Sequence, residues 1–343
     1  MTIRSNNATI YGIQNEVERY LWVGYLVVVL ASSLIGDTIV LIASIKYNAF
    51  KLNKFIIAII QHMAVSDLVI SVTFILPSVI SMILNKWVLG NISANIHRFI
   101  EFWALPVCNV LVGVLTTSKF LLVRYPLQTS NWTKKKAHVT CCVVWLSFAI
   151  ISITSLLLCK GALIFDYTSY EFDADYSLLD SDAGKFFDVF VSLANFSSIL
   201  LVILTTVLTL QYLSEARKVS RRSCGSLRWQ GVVTVVMTGS VYCVSSVPYA
   251  VCTMMEHFVN NSSPSYIDLE RSSEYLTLLN VMSNFYIYSL TIPSFRRFLR
   301  SKLLFASSKL RHSNRVESGG PVVVDGSQQN KFVQLKKYEV PPA

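Results

Sequence analysis

Long apolar runs separated by short polar connections are the main pattern of this sequence. A helix needs about 20 residues to cross roughly 30 Å of hydrocarbon. The runs that reach this length lie at about 20–45, 55–84, 98–123, 138–160, 185–212, 231–255 and 273–293. The pattern therefore predicts an all-α membrane protein, built as a bundle of seven transmembrane helices.

The segments outside these runs complete the predicted organisation. Residues 1–19 are polar and mixed in charge, which predicts an extracellular amino terminus without a cleaved signal peptide. Residues 294–305 alternate apolar and basic side chains, which predicts a short amphipathic helix on the inner membrane surface, or alternatively a solvated basic tail. Residues 306–343 are rich in Ser, Gly and charged residues and are predicted to be disordered.

Composition supports the membrane interpretation. Hydrophobic residues make up 53% of the chain, charged residues 15%, and the mean hydropathy is +0.50. The net charge of +10 does not indicate nucleic-acid binding, because the basic residues lie in short connections between apolar runs. The seven cysteines form no CxxC pair, so we expect neither a cysteine-based metal site nor a disulfide.

The charges of the connections predict the orientation of the chain. Basic residues follow the first, third, fifth and seventh runs, and acidic residues follow the fourth and sixth. Because basic connections stay in the cytoplasm, the amino terminus is predicted to be extracellular and the carboxyl terminus cytoplasmic, as in a multi-pass plasma-membrane protein. Glycosylation sequons on the predicted outer side begin at Asn7, Asn91, Asn260 and Asn261.

One carboxylate interrupts the second apolar run. Asp67 lies near the middle of residues 55–84, with apolar residues on all sides of the predicted helix. An ionisable group at membrane depth costs about 2.5–3.5 kcal/mol on insertion scales, so it usually faces the bundle interior and serves function. Asp67 is therefore the first candidate site residue.

Short motifs along the chain resemble those of a known family. They are Gly36-Asp37-Thr38-Ile39-Val40, Ala64-Val65-Ser66-Asp67-Leu68, Trp87-Val88-Leu89-Gly90, Tyr125-Pro126-Leu127, Trp145, Pro248-Tyr249, Asn280, Asn284, Tyr288 and Phe295-Arg296. In this order and spacing, over residues 36–299, they resemble the rhodopsin-like G-protein-coupled receptors. The resemblance implies a receptor for an extracellular ligand that activates a heterotrimeric G protein.

The sequence departs from the family pattern at several positions. Ser118-Lys119-Phe120 stands where the family has Asp-Arg-Tyr, and Phe285 replaces the proline of the seventh helix. Ser246 stands where a tryptophan usually precedes the sixth-helix proline. No cysteine lies at 94 or 95 or within residues 161–185, so the usual outer disulfide is not expected. These departures put efficient switching in question and leave the fold prediction unchanged.

The resemblance implies a polar centre around Asp67. Asp37, Asn280 and Asn284 are expected to face Asp67 across the bundle, where the family commonly binds sodium. Two carboxylates at low dielectric do not both ionise cheaply, so either a cation lies between them or one is protonated. Protonation would make the pair sensitive to pH; alternatively, a neutral Asp37 would simply donate a hydrogen bond to Asp67.

The outer half of the predicted bundle contains the candidate ligand site. Glu101 is expected at the depth where the family contacts its ligands, and it could pair with a cationic ligand. Arg98 lies three residues earlier on the same helix face, so Glu101 could instead be paired internally. The other candidate ligand-binding residues are Leu105, Tyr249 and Glu274. No lysine lies between Glu274 and Phe295, so a retinal Schiff base is not expected.

The inner face contains the candidate G-protein surface. Its residues are Lys119, Tyr212, Tyr288, Arg217 and Arg221. Two other functions remain open: a seven-helix binding or decoy protein that does not signal, and a transporter or channel. An enzyme is not expected, because the sequence has no paired acid and nucleophile and no phosphate-binding glycine loop.

Overall fold

A computed structural model describes residues 16–47, 49–50, 52–158, 163–166, 171–174, 182–219, 226–258 and 264–302. The chain divides into two compact units, Met1–Arg296 and Arg297–Ala343. In the second unit the described residues, 297–302, are helical. The prediction of disorder for residues 306–343 falls outside the described residues, as do residues 303–305 of the predicted amphipathic helix.

Helices form most of the described chain. Their bounds are α1 Glu16–Ile45, α2 Lys54–Leu84, α3 Gly90–Arg124, α4 Lys134–Leu158, α5 Asp182–Val219, α6 Ser226–Phe258, α7 Pro264–Thr277, α8 Leu279–Thr291 and α9 293–302. Five of them contain stretches long and apolar enough to cross a membrane: α1, α2, α3, α4 and α6. The apolar part of α5 is shorter, at Phe196–Tyr212, and the seventh predicted span is divided between α7 and α8.

Several helices extend beyond the apolar runs that predict them. α3 begins at Gly90, eight residues before the predicted start at 98, and α5 continues to Val219 rather than 212. The hydrocarbon thickness limits only the apolar part of a helix, because the backbone can stay hydrogen-bonded as a helix in polar surroundings. A short antiparallel hairpin departs from the all-helical prediction, with Leu163–Asp166 paired to Glu171–Ala174.

α2 contains a wider helical turn just after Asp67. Residues Ser71–Ile75 adopt π-helical geometry, followed by Pro77 in the next turn. Proline lacks a backbone N–H and its ring collides with the carbonyl four residues earlier, so the α-helical ladder is disturbed at this point. The wider turn is the local accommodation, and such bulges often lie beside functional residues.

The seventh predicted span is interrupted at Leu278. Leu278 N donates to Tyr275 O at 3.1 Å and Val281 N donates to Leu278 O at 3.1 Å, which are tighter, three-residue steps. α8 then continues without a break through Phe285, the residue at the position of the family's proline. The interruption therefore lies before Asn280 and Asn284 in the chain, not after them.

α1 and α8 approach closely at Gly36. A Cβ atom on Gly36 would lie 2.7 Å from the Cβ of Phe285, so the contact requires a residue without a side chain. Gly24, earlier on the same helix, has nothing within 4 Å of such an atom. Phe285 thus packs directly on the α1 backbone, one residue after Asn284.

An aromatic cluster joins the connection between α1 and α2 to α8 and the start of α9. Phe50 stacks on Phe295, with ring centroids 4.7 Å apart, and meets Tyr288 edge to face at 5.8 Å. Phe295 is fully buried. Phe295, the first apolar residue of the segment 294–305, therefore packs against protein, because Phe50 in the connection between α1 and α2 supplies an apolar partner.

Candidate functional site

Asp67 is buried at the centre of three helices. Its side chain is 0% exposed, and each carboxylate oxygen accepts one hydrogen bond from another helix. Cys108 of α3 donates its thiol to Oδ1 at 3.1 Å, and Asn284 of α8 donates Nδ2 to Oδ2 at 2.8 Å. Asp67 therefore links α2 to α3 and α8 through polar contacts in the bundle interior.

Three other buried side-chain oxygens of this cluster have no hydrogen-bond partner in the described chain. Asn280 donates Nδ2 to the Cys108 sulfur at 3.7 Å, while its Oδ1 has no partner among the described residues. Asn284 Oδ1 and Asp37 Oδ1 are likewise buried and lack partners there. Carboxylate and amide oxygens are the ligands of hard cations, so the set fits a small hard ion or ordered water. By contrast, no group of three or more His, Cys, Asp or Glu suited to a metal occurs in the described part.

Asp37 reaches the cluster through serine hydroxyls. Ser33 Oγ donates to Asp37 Oδ2 at 2.6 Å, and Ser71 Oγ lies 2.8 Å from Ser33 Oγ and 2.7 Å from the Asp67 carbonyl. The two carboxylates share no hydrogen bond within the described ranges. The alternative of a direct hydrogen bond from a neutral Asp37 to Asp67 is therefore wrong, because Ser33 donates to one Asp37 oxygen and the other has no partner in the described chain.

Nearer the predicted outer end of α3, Glu101 is paired with Arg98. The Arg98 Nη1 lies 2.9 Å from both carboxylate oxygens, and its guanidinium lies 4.2 Å from the Phe102 ring centroid. The internal pairing considered from the sequence is therefore present. Leu105 on α3, Tyr249 on α6 and Glu274 on α7 are half-buried.

At the predicted inner end, Lys119 is a buried basic residue. The residue is 6% exposed, and its Nζ has no hydrogen-bond partner in the described chain. The nearest aromatic partner is Tyr288 of α8, whose ring centroid lies 5.8 Å from Nζ and whose hydroxyl also lacks a partner there. Tyr212 contacts Arg124, at 5.0 Å from guanidinium to ring centroid. The side chain of Arg217 and all of Arg221 lie outside the described residues.

Residues 36–290 match the family model for seven-transmembrane receptors of the rhodopsin family. This chain belongs to that family. Members of this family are receptors rather than enzymes, which agrees with the expectation that this chain is not an enzyme. The membrane prediction and the resemblance drawn from the motifs are confirmed at the level of the family.

Three curated receptors share parts of this sequence. The alpha-1A adrenergic receptor of Oryzias latipes is 31% identical over 98 residues, covering 28% of this chain and 21% of its own. Melanopsin-B of Xenopus laevis is 25% identical over 147 residues, covering 39% and 25%. Proteinase-activated receptor 1 of Cricetulus longicaudatus is 24% identical over 224 residues, covering 63% and 50%. The matches span between about a fifth and a half of these relatives' lengths.

The predicted modification sites of the receptor lie partly within the described structure. Asn91 is exposed in the first turn of α3, while Asn7, Asn260 and Asn261 lie outside the described residues. Cys108, Cys141, Cys142, Cys243 and Cys252 are free thiols, and Cys159 and Cys224 fall outside the description. Glycosylation of Asn91 stays a prediction.

Sequence reasoning missed three members of the polar cluster in the receptor. Ser33 lies four residues before Asp37, and Ser71 lies four residues after Asp67, so each shares a helix face with a carboxylate. Cys108 lies two turns beyond Glu101 on α3. The helical spacing of these small polar residues is the signal that could have identified them.

Proposed function

We propose that this receptor binds an extracellular ligand between the outer parts of its helices and activates a heterotrimeric G protein at its inner face. The observation that supports this most is the placement of three polar groups along α3. Glu101, Cys108 and Lys119 lie at successive depths, separated by about 10 Å and 17 Å at 1.5 Å per residue. One helix thus joins the candidate ligand site, the Asp67 cluster and the candidate G-protein surface.

The inner end is suited to recruiting a partner. Lys119 and Tyr288 are buried polar side chains without hydrogen-bond partners in the described chain. Burying a polar group without a partner costs free energy. A state that exposes these groups to water or pairs them is therefore stabilised relative to this one. A ligand that favours such a state shifts its population in proportion to its differential affinity.

A cationic ligand at the outer site is compatible with Glu101 only under one condition. Glu101 already binds Arg98 through both of its oxygens. A ligand ammonium must therefore displace Arg98 or join it around the carboxylate. We expect Glu101→Gln to lower the affinity for a cationic ligand. The affinity for a neutral ligand that does not contact the Arg98–Glu101 pair should be unchanged.

The central cluster is proposed to bind a sodium ion. Asp67 and Asp37 would supply charge, and the amide oxygens of Asn280 and Asn284 would supply neutral ligands. Sodium should then raise the melting temperature of the purified receptor more than choline at equal ionic strength, and Asp67→Asn should remove the difference. Equal melting curves for wild type in the two salts would contradict the proposal.

A receptor-like protein that binds without signalling is the second candidate. Lys119 has no ion-pair partner in the described part of the chain, and a lysine cannot reproduce the planar, forked hydrogen bonding of the family's arginine. Phe285 and Ser246 also replace residues of the usual switching apparatus. A binding or decoy protein would keep the fold and the ligand site and would lack activity towards a G protein.

Basal G-protein activation in cells distinguishes the two candidates. The wild type is compared with Lys119→Ala, and with Lys135→Ala as a control that removes an exposed basic residue at the start of α4. Surface expression is measured with an amino-terminal tag on intact cells, which also tests the proposed orientation. If the protein is a signalling receptor, we expect wild type and Lys135→Ala to activate the G protein and Lys119→Ala to lose this activation. No activation by wild type of any G-protein class, at normal surface expression, would favour the binding protein.

A further inference from the structure

Two histidines from different helices face each other outside the Asp67 cluster. His62 of α2 and His138 of α4 bring Nε2 and Nδ1 to 2.9 Å, with ring centroids 5.1 Å apart and planes at 64°. Both side chains are half-buried. We propose that His62 and His138 form a binding site for a Zn²⁺ ion that ties α2 to α4.

The distance between the two nitrogens is close to what zinc requires. Zn–N bonds of about 2.0–2.1 Å at a tetrahedral angle place the nitrogens about 3.3 Å apart. The rings therefore need to separate by less than half an ångström. In the hydrogen-bonded pair one facing nitrogen carries a proton, and that ring must move it to its other nitrogen. Each imidazole stays neutral, so binding releases no proton from the pair.

The metal class follows from the ligands. Neutral imidazole suits zinc and its neighbours in the transition series, whereas magnesium and calcium prefer oxygen. No described Cys, Asp or Glu forms a group of three with these histidines. Two protein ligands leave coordination positions for water, so we expect moderate affinity and an exchangeable ion rather than a closed structural site.

The surroundings hold the two histidines in place. Phe55, near the start of α2, packs on Trp132, which lies two residues before α4, with ring centroids 4.7 Å apart. This contact fixes the ends of the same two helices one to two turns from the histidines. Four exposed lysines also lie near this end, namely Lys54, Lys134, Lys135 and Lys136. Their repulsion of a cation is weakened by solvent and salt, because they are exposed.

Thermal unfolding of the purified full-length receptor tests the site. The protein is first freed of metal with a chelator and then titrated with ZnCl₂, or with MgCl₂ as a hard-cation control. We expect zinc to raise the melting temperature of wild type saturably, because binding to the folded state stabilises it by mass action. His62→Gln and His138→Gln should each lose the shift, while His312→Gln, a histidine outside the described residues, should keep it.

A second measurement uses the wild type alone, in case a histidine variant does not fold. Diethyl pyrocarbonate modifies free imidazole nitrogens, and mass spectrometry reports the modified residues. Zinc should protect His62 and His138 and leave His312 reactive, whereas magnesium should protect none of them. The proposal is overturned if zinc gives no saturable stabilisation, if the shift persists in both histidine variants, or if protection of His62 and His138 is absent. Any of these results would leave the pair as a hydrogen bond between helices.

Discussion

The Asp67 cluster and the Lys119–Tyr288 pair are both buried charged or polar sites in one bundle, yet their hydrogen bonding differs. Each Asp67 oxygen accepts a bond from a neighbouring helix, at 3.1 Å from Cys108 and 2.8 Å from Asn284. Lys119 Nζ and the Tyr288 hydroxyl have no such partner in the described chain. The Asp67 cluster holds helices together, whereas the burial of Lys119 and Tyr288 without hydrogen bonds destabilises the folded protein.

This difference suggests distinct contributions to function. Hydrogen bonds to a buried charge stabilise by roughly 1.5–3 kcal/mol each, so the Asp67 cluster favours one arrangement of α2, α3 and α8. A buried ammonium without an anionic partner lowers the stability of the same arrangement. Substitutions in the two regions should therefore change the free energy of unfolding in opposite directions.

The largest expected change in the free energy of unfolding comes from Gly36, whose close contact is the aromatic residue Phe285. Gly36→Val should lower the free energy of unfolding by about 3 kcal/mol, because its side chain would overlap Phe285 close to the backbone. Displacing Phe285 would also move Asn284 away from Asp67. Unfolding in mixed detergent micelles measures the change.

Gly24→Ala is the matched control on the same helix. Space is open around Gly24, so the substitution should stabilise slightly, by about 0.5 kcal/mol, through helix propensity alone. Equal effects of Gly36→Val and Gly24→Ala would mean that α1 does not pack on α8 at Phe285.

Removing a donor from Asp67 tests the cluster directly. Asn284→Ala should destabilise by about 2 kcal/mol, because Asp67 Oδ2 would lose its partner while remaining buried. Ser289→Ala on the same helix is the control, since Ser289 donates to the Phe285 carbonyl of α8 and to no other residue of the described chain, so its loss should change little. A loss in Asn284→Ala no larger than in Ser289→Ala would show that Asp67 does not depend on this donor.

Much of the central site was predictable from sequence because carboxylates at membrane depth are conspicuous. Asp67 stands out within an apolar run, and the motif resemblance placed Asn284 opposite it, where Asn284 Nδ2 donates to Asp67 Oδ2 at 2.8 Å. The pairing of Arg98 with Glu101 was also foreseen, because residues three apart share a helix face. The local pattern was sufficient for Asp67 and for the Arg98–Glu101 pair, whereas Asn284 required the family resemblance.

Other features depend on tertiary contacts that a single sequence does not encode visibly. Phe295 reads as part of an amphipathic stripe, but Phe50, far away in sequence, buries it. Ser33 donates to Asp37, although the family resemblance left open a direct bond from Asp37 to Asp67. The interruption at Leu278 lies where no proline or glycine marks it. Each of these features is determined by the packing of side chains in the folded structure rather than by the local sequence.

Removing the unpaired cation should have the opposite sign to the preceding changes. Lys119→Met keeps the length of the side chain and eliminates the buried ammonium, so we expect a gain of about 1 kcal/mol in the free energy of unfolding. G-protein activation, if the proposed function holds, should fall in the same variant. Destabilisation by Lys119→Met would indicate that Nζ has a stabilising partner in the folded protein, and the contrast between the two regions would disappear.

The smallest expected effect concerns the thiol that donates to Asp67. Cys108→Ser retains a donor at the same place, and a hydroxyl is a stronger donor than a thiol but leaves slightly more space, so the net change should be only about 0.5 kcal/mol. Cys108→Ala removes the donor and should lose clearly more than Cys108→Ser. If the two variants are equally stable, the sulfur acts only by filling space, and Asn284 alone anchors the Asp67 carboxylate. The donor rather than the volume of Cys108 is the feature that makes this region a polar junction of three helices.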